Sequence, residues 1–238
     1  LSRNHPALGM IMQIPHSLMP GLGGRGMSGR QVAQPGAAQF ATLHAMTPSA
    51  RIRHVNVARA ATIDIQGRRV LTAIGKQPVL GAVAVAPLGL AGDEQADLTV
   101  HGGLAKAVYA YPAEHLPFWQ TVRAQARVAA HDDPVPPGLL GENLTIEGLT
   151  EDRLWIGDRL RLPDCELVVS EPRQPCFKFN AAMGFAQAAK LMAQSGYCGA
   201  YLAVLHPGTL RAGDAIELRP GPREVNLREL FRSRMGRK

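Results

Sequence analysis

From residue 51 onward, apolar and polar residues follow the two-residue period of strands. Residues 54–58, 61–65 and 69–74 are short runs set around turn residues such as Gln66-Gly67. Residues 79–86 form an almost unbroken apolar run with alternating valines, the pattern of a strand covered on both faces. Further strand runs fall at 107–111, 144–146, 155–162, 165–170 and 199–205, and residues 209–218 read as a closing hairpin. Helical spacing is scarcer. Pro112-Ala113-Glu114 opens a helix whose Phe118, Trp119, Val122 and Ala126 share one face. Phe185, Ala188, Ala189 and Met192 mark a second helix of about three turns, and residues 227–231 start another. The predicted fold class is mainly β, a β-barrel or rolled sheet with a few short helices.

Residues 1–50 show neither period. Glycine and proline recur there, and arginines stand without any acid, so the segment is expected to be a disordered N-terminal extension. Met46 is the expected initiator of the strand-rich part of the chain. Residues 51–220 are expected to form one domain, and 221–238 a short basic segment with helical character. The net charge of +7 resolves along the same boundaries. Residues 1–60 carry six Arg and no acid, and residues 219–238 carry seven Lys or Arg against two Glu. The remaining residues are therefore mildly acidic, which argues against a nucleic-acid partner. Aromatic content of 5% also leaves little for base stacking. No apolar run reaches membrane-spanning length, because prolines and glycines interrupt the longest, so no membrane partner is expected. Three cysteines without CxxC spacing fit a reducing compartment, and the expected location is the cytoplasm.

One stretch carries chemistry. The run ending at Ser170 empties into Glu171-Pro172-Arg173-Gln174-Pro175-Cys176-Phe177-Lys178. Each proline fixes its own φ and biases the preceding residue toward extended backbone, so Cys176 is delivered on a stiff ledge. Arg173 and Lys178 on either side favour its thiolate, the form that attacks electrophiles or binds soft metals. A lone cysteine at a strand end is more often a small buried hydrophobe, and the two flanking cations favour chemistry here. Cys165 and Cys198 lack such neighbours. His101-Gly102-Gly103, followed by Lys106, could turn backbone N–H groups toward an anion, although such a triplet is most often an ordinary turn.

The motifs GLAGDEQADLTVHGGLAKAVYAYPAEHLPFW, GENLTIEGLTE, IGDRLRL, EPRQPCFKFN and RAGDAIEL occur together and in this order. In that arrangement the chain resembles MOSC-domain proteins, most closely the bacterial YiiM-type reductases of N-hydroxylated purines, over residues 51–220. The resemblance implies a β-barrel that binds the molybdenum cofactor (molybdopterin), and not pyridoxal phosphate. It implies Cys176 as metal ligand and catalytic residue. His101, Gly102, Gly103, Lys106, Asn143, Arg173 and Lys178 are the implied cofactor contacts. The implied activity is reduction of small N-hydroxylated compounds such as hydroxylaminopurines and amidoximes, a detoxification of N-hydroxylated bases. No iron–sulfur, flavin or nicotinamide fingerprint is present, so a separate electron-donor redox protein is the implied partner. The alternative is a carrier that holds cofactor or relays sulfur on Cys176 without turnover.

Overall fold

The computed structural model describes residues 50–96 and 102–236, which all belong to one compact unit; the expected 1–50 extension lies outside them apart from Ala50. Ala50 itself is buried and accepts a backbone hydrogen bond from Ile216 at 2.7 Å.

Among the described residues, thirteen strands and four α-helices follow in chain order. The first group is β1 (Arg51–Val57), β2 (Ala61–Ile65), β3 (Arg68–Thr72), β4 (Gln77–Pro78), β5 (Val83–Ala86) and β6 (Gly89–Leu90). Next come β7 (Val108–Pro112), α1 (Leu116–Gln125), β8 (Leu144–Glu147), β9 (Arg159–Arg161) and β10 (Glu166–Pro172). The chain then forms α2 (Phe177–Met183), α3 (Ala188–Ser195), β11 (Ala200–His206), β12 (Gly208–Leu210), β13 (Glu217–Arg219) and α4 (Leu227–Met235). Eight strands make one sheet in the order β13-β9-β10-β11-β7-β8-β1-β4, with a three-stranded sheet β12-β5-β6 and the hairpin β2-β3 beside it. Its single parallel pair among the described residues is β7 with β8. That pairing needs a crossover, and α1 lies on the connection between the two strands.

The mainly-β reading holds, but the expected closed barrel does not form. The ladder is open and ends at β13 and β4. β4 is two residues long and contains Pro78, which has no N–H to extend a ladder. Near the other end, residues 213–216 reach β1 through Gly213 N–H to Ile52 O at 2.8 Å and Ile52 N–H to Asp214 O at 3.0 Å. A lone bridge there pairs Arg51 with Ala215, and no continuous ladder develops. The expected closing hairpin is also absent: β12 pairs with β5, whereas β13 pairs with β9.

The strand buried on both faces is β7, not the run at 79–86. Every residue of β7 is buried, while β5 alternates buried and exposed and Leu80 is fully exposed. Val108 and Ala110 point into an aliphatic cluster with Ile52, Val55, Leu144, Leu167 and Leu202. Tyr109 and Tyr111 enter a second cluster, where Trp119, Phe179, Met183, Met192 and Phe231 pack from the helices. The period of two thus assigns each face of β7 its own core. α4 docks there through Phe231, and Asn226 caps it by accepting from the N–H groups of Arg228 and Glu229.

Close packing of β11 on β7 requires a glycine at its entrance. Gly199 has φ +67°, and a Cβ there would stand 2.5 Å from Ala110 O and 2.8 Å from Tyr109 Cε2. Gly199→Ala is expected to cost about 2–4 kcal/mol from backbone strain and overpacking. Chemical denaturation monitored by circular dichroism checks this; an unchanged midpoint would mean the two strands can separate at no cost.

Candidate functional site

One end of the large sheet opens into a cleft of about 630 Å³, its mouth included. Its wall collects short segments from across the chain: residues 72–74 at the end of β3, residues 93–96 after β6, Lys106 before β7, and Arg173 and Cys176 after β10. Lys76, Asn143, Lys178, Tyr109 and Tyr201 also line it. Five of the residues expected at the site therefore meet here: Cys176, Lys106, Asn143, Arg173 and Lys178. Gly102 and Gly103 are not among the lining residues. The N–H of Gly103 donates to Gln95 Oε1 at 2.7 Å, so it is already engaged within the protein. His101 lies outside the described residues.

Cys176 precedes α2 in extended conformation, with φ −135° and ψ 172°. Its backbone O accepts from Phe179 N–H at 3.0 Å, which fixes the ledge the prolines lead to. The sequence reading missed α2, because Phe-Lys-Phe-Asn directly after a proline-bracketed turn carries no strong helical period. Lys178, on the first turn of α2, donates to Leu71 O at 3.0 Å and so ties the helix to β3.

Arg173 is the unusual charge. It is only 4% exposed, and its guanidinium carbon lies 5.1 Å from the Tyr109 ring centroid and 4.9 Å from that of Phe179. Nη1 donates to Met192 Sδ at 3.4 Å, and the Tyr201 phenol shares a hydrogen bond with it. Burial works against its charge, yet the facing groups of Tyr109, Tyr201 and Cys176 more than offset this and hold its pKa above the ordinary value. Among the described residues no carboxylate pairs with it. The nearest in sequence, Glu171, is committed to Lys106 at 3.7 Å and to Arg234 at 3.0 Å. A guanidinium that gives up water without receiving a counter-ion among the described residues is poised for an external anion.

The cleft floor holds a polar cluster the sequence reading did not single out. Lys76 and Asp93 form a buried ion pair, with side chains 8% and 6% exposed. Asp93 also accepts from Ala58 N–H at 2.8 Å and from Asn143 Nδ2 at 2.9 Å. Asn143 uses its remaining capacity on Tyr109 N–H (3.0 Å) and Asn56 O (3.2 Å). It acts as a clamp on the cleft wall more than as a free donor. Burial lowers the Lys76 pKa, and the pull of Asp93 in the other direction does not restore it. Beneath them Glu142 is fully buried and accepts from Gly138 N–H at 2.7 Å and Thr145 Oγ1 at 3.0 Å. Burial raises its pKa above the usual 4.5. One signal for Lys76 was available. The chain has twenty-one arginines but five lysines, and three of those five line this cleft.

Comparison with known proteins agrees with this architecture. A family model described as the MOSC domain matches residues 97–217, and the chain belongs to the MOSC-domain family. Within that family its likeness is to YiiM-type proteins. Protein YiiM of Escherichia coli K12 is 37% identical over 159 residues, covering 66% of this chain and 68% of that protein. The crystal structure of YiiM from Geobacillus stearothermophilus superposes with a TM-score of 0.62 at 30% identity, covering 79% of this chain and 85% of that one. A protein named reductase from Gibberella moniliformis is 35% identical over 173 residues, which span 71% of this chain and 30% of that longer protein.

Two outcomes test the site as described. Asp93→Asn leaves Lys76 without its buried counter-charge and is expected to lower stability by about 3–5 kcal/mol; a loss under 1 kcal/mol in urea denaturation would show that water reaches the pair. Among the cysteines, Cys165 is buried with its pKa pushed up to about 11, first by burial and then by Asp164. Cys198 is buried, which pushes its pKa well above the ordinary thiol value, whereas Cys176 is part-exposed, and none of the three is tied into a disulfide. Brief iodoacetamide treatment of the folded protein near pH 8 is therefore expected to modify Cys176 alone, read by peptide mass spectrometry.

Proposed function

We propose that the protein is a molybdenum-cofactor-dependent reductase of small N-hydroxylated compounds, supplied with electrons by a separate redox protein. The observation that carries this reading is the pairing, in one cleft, of a part-exposed Cys176 thiol with the buried Arg173 guanidinium that lacks a carboxylate partner among the described residues. The residues fit the cofactor on two counts. A thiolate suits a soft, polarisable metal, and Arg173, Lys106 and Lys178 offer cationic donors to a phosphate. Among the described residues no group of three His, Cys, Asp or Glu side chains gathers to hold a bare metal ion. A metal at Cys176 would thus bring its other ligands with it, as an organic cofactor does. YiiM-type relatives and the reductase-named protein support the same direction.

When bound, the cofactor supplies two electrons to the N–O bond. The chain supplies the rest. Converting R–NH–OH to R–NH₂ consumes two electrons and two protons and releases water. Lys76 lines the cleft, and its burial-lowered pKa makes it a better acid than an exposed lysine, so it is the group suited to protonate the departing hydroxyl. Asp93 orients that ammonium and keeps it charged. Tyr109 and Tyr201, with raised pKa values from burial, stay neutral and form an apolar, hydrogen-bonding wall that keeps water from the reacting atoms.

The test compares Cys176→Ala, Cys165→Ala and Cys198→Ala made in a host that produces the cofactor. The first is expected to fold and lose reduction of a hydroxylamine with an artificial donor, while the other two keep it. Arg173→Lys is expected to weaken cofactor retention about ten- to a hundredfold, since a charge-assisted hydrogen bond contributes roughly 1.5–3 kcal/mol. A Cys176 variant that reduces at near wild-type rate would overturn the reading. A wild-type protein that retains cofactor but turns nothing over would establish a carrier instead.

A further inference from the structure

The C-terminal helix reaches the edge of the cleft through a short chain of charges. Arg234, in the last turn of α4, donates to Glu171 Oε2 at 3.0 Å. The other oxygen of Glu171 stands 3.7 Å from Lys106 Nζ, and Lys106 lines the cleft. Past Lys106 the surface turns apolar. Leu104 and Leu88 are 62% and 60% exposed. One side chain holds both of their loops here: Gln95 accepts from Gly103 N–H at 2.7 Å and donates to Leu88 O at 2.8 Å. Gly89 seats the second loop directly on the cleft wall, since a Cβ there would stand 2.6 Å from Ala107 O. The two leucines, Lys106, Glu171 and the end of α4 thus form one strip beside the cleft, apolar at one end and cationic at the other.

Cations in the last turn of a helix are ordinary, because they suit its dipole, and single exposed leucines are ordinary too. Their setting is less so. α4 carries Arg228, Arg232 and Arg234 against Glu229 alone, with Phe231 buried in the core and Arg232 exposed. Residues 61–218 hold seventeen acids and thirteen bases, so the body of the fold weakly repels an acidic protein while α4 attracts one. An uneven field of this kind orients an approaching acidic partner before contact and raises its association rate. An apolar patch with charges along its edge is also the usual anatomy of a protein interface.

We propose that this strip is the docking surface of the electron donor, an acidic redox protein whose carboxylates meet Arg232 and Arg234 and whose apolar patch meets Leu88 and Leu104. The proposal rests on the reductase reading above, since a carrier needs no donor. Breaking one N–O bond takes two electrons, so a one-electron donor docks and leaves twice in each turnover. That favours a small contact, guided by charge and quick to dissociate, over a large apolar face. A donor seated here lies against the wall that Lys106 shares with Cys176.

The test has two arms, and their failures are separable. In the first, fluorescence anisotropy measures binding of two acidic redox proteins, a plant-type [2Fe–2S] ferredoxin and a flavodoxin, to the purified full chain without cofactor. At least one is expected to bind at ~0.01 M salt and to weaken about tenfold or more at ~0.15 M, as the Debye length falls from about 30 Å to about 8 Å. Arg232→Glu and Leu104→Asp are each expected to weaken it about tenfold. Arg211→Glu, at an exposed arginine outside the strip, is expected to leave it unchanged. Circular dichroism checks that the variants fold, as substitution of exposed side chains should allow. No binding by either protein, or binding that Arg232→Glu and Leu104→Asp do not move, overturns the docking surface. A duplex oligonucleotide that binds more tightly than both, with the same dependence on Arg232, assigns the arginines to nucleic acid and overturns it as well. In the second arm, cofactor-loaded protein reduces a hydroxylamine with the bound redox protein or with a small artificial donor. Arg232→Glu is expected to slow the first about tenfold and to leave the second unchanged. Equal slowing of both, or wild-type turnover with the artificial donor alone, overturns the strip as the donor's surface. Turnover with neither donor, while binding still depends on Arg232, counts against the reductase reading and leaves a surface for acidic proteins standing.

Discussion

The Asn143 side chain is the constraint that shapes the cleft. It accepts from Tyr109 on β7 and donates to Asn56 on β1 and to Asp93 in the loop after β6, so one amide joins three segments distant in sequence. It does so where β8 enters the sheet between its parallel partner β7 and its antiparallel partner β1. Backbone groups at such an entry have no complete ladder, and leaving them buried without partners would cost about 1–3 kcal/mol each. The amide resolves that problem and holds Asp93 beneath the cleft at the same time. Asp93 in turn fixes Lys76. The position of the buried cation is thereby a consequence of how the sheet is closed at this seam.

Arg173 answers to a different logic. Its guanidinium lies among aromatic rings and a thioether and, among the described residues, not against an acid. Rings and sulfur pack the flat faces of the ion without neutralising it, so the charge remains available at the cleft surface. Glu171, two residues earlier on β10, is drawn away by Lys106 and by Arg234 of α4. The C-terminal helix thus helps keep the nearest acid off Arg173. A buried cation without a counter-charge is tolerated where an anion arrives, and the same arrangement without a ligand would be a cost with no return.

How much of this could be read from the residues depends on the range of the physics involved. Local terms were legible: the strands at 51–57, 61–65 and 108–112, the Trp119 face of α1, and the proline-fixed delivery of Cys176 all come from short patterns. Pairing was not. The alternation of valines at 79–86 looks like a central strand, yet only β5 forms there and its partners are the short β6 and β12. The burial on both faces belongs to β7, whose tyrosines read as surface-compatible residues until Trp119 and Phe179 cover them. Sheet closure was equally out of reach, because one bridge at Arg51 and Ala215 in place of a ladder is a matter of long-range geometry. At the site, Cys176, Arg173 and Lys178 announce themselves in one stretch. Lys76 and Asp93 are separated by sixteen intervening residues and look like ordinary turn charges. Gly103, which looked like an anion donor, proved to be occupied by Gln95.

The buried floor also carries an electrostatic tension that the fold has to sustain. Glu142 has a folded-state pKa raised above its unfolded value of 4.5, so its contribution to stability is fully present below that value and is lost as pH rises through the folded pKa. Lys76 is the mirror case. Its folded pKa is lowered from 10.5, so its contribution is fully present above that value and is lost as pH falls through the folded pKa. The two slopes oppose each other, and between them both groups are driven toward their ionised forms in a place that disfavours ionisation. Their mutual attraction, with that of Asp93, offsets part of the desolvation, which is why the pair survives in the interior. A lysine held in that balance gives up and regains a proton more readily than one in water. In the proposed reductase, the same burial that weakens the floor of the cleft is what suits Lys76 to act as the acid, so stability and the proposed chemistry draw on a single interaction.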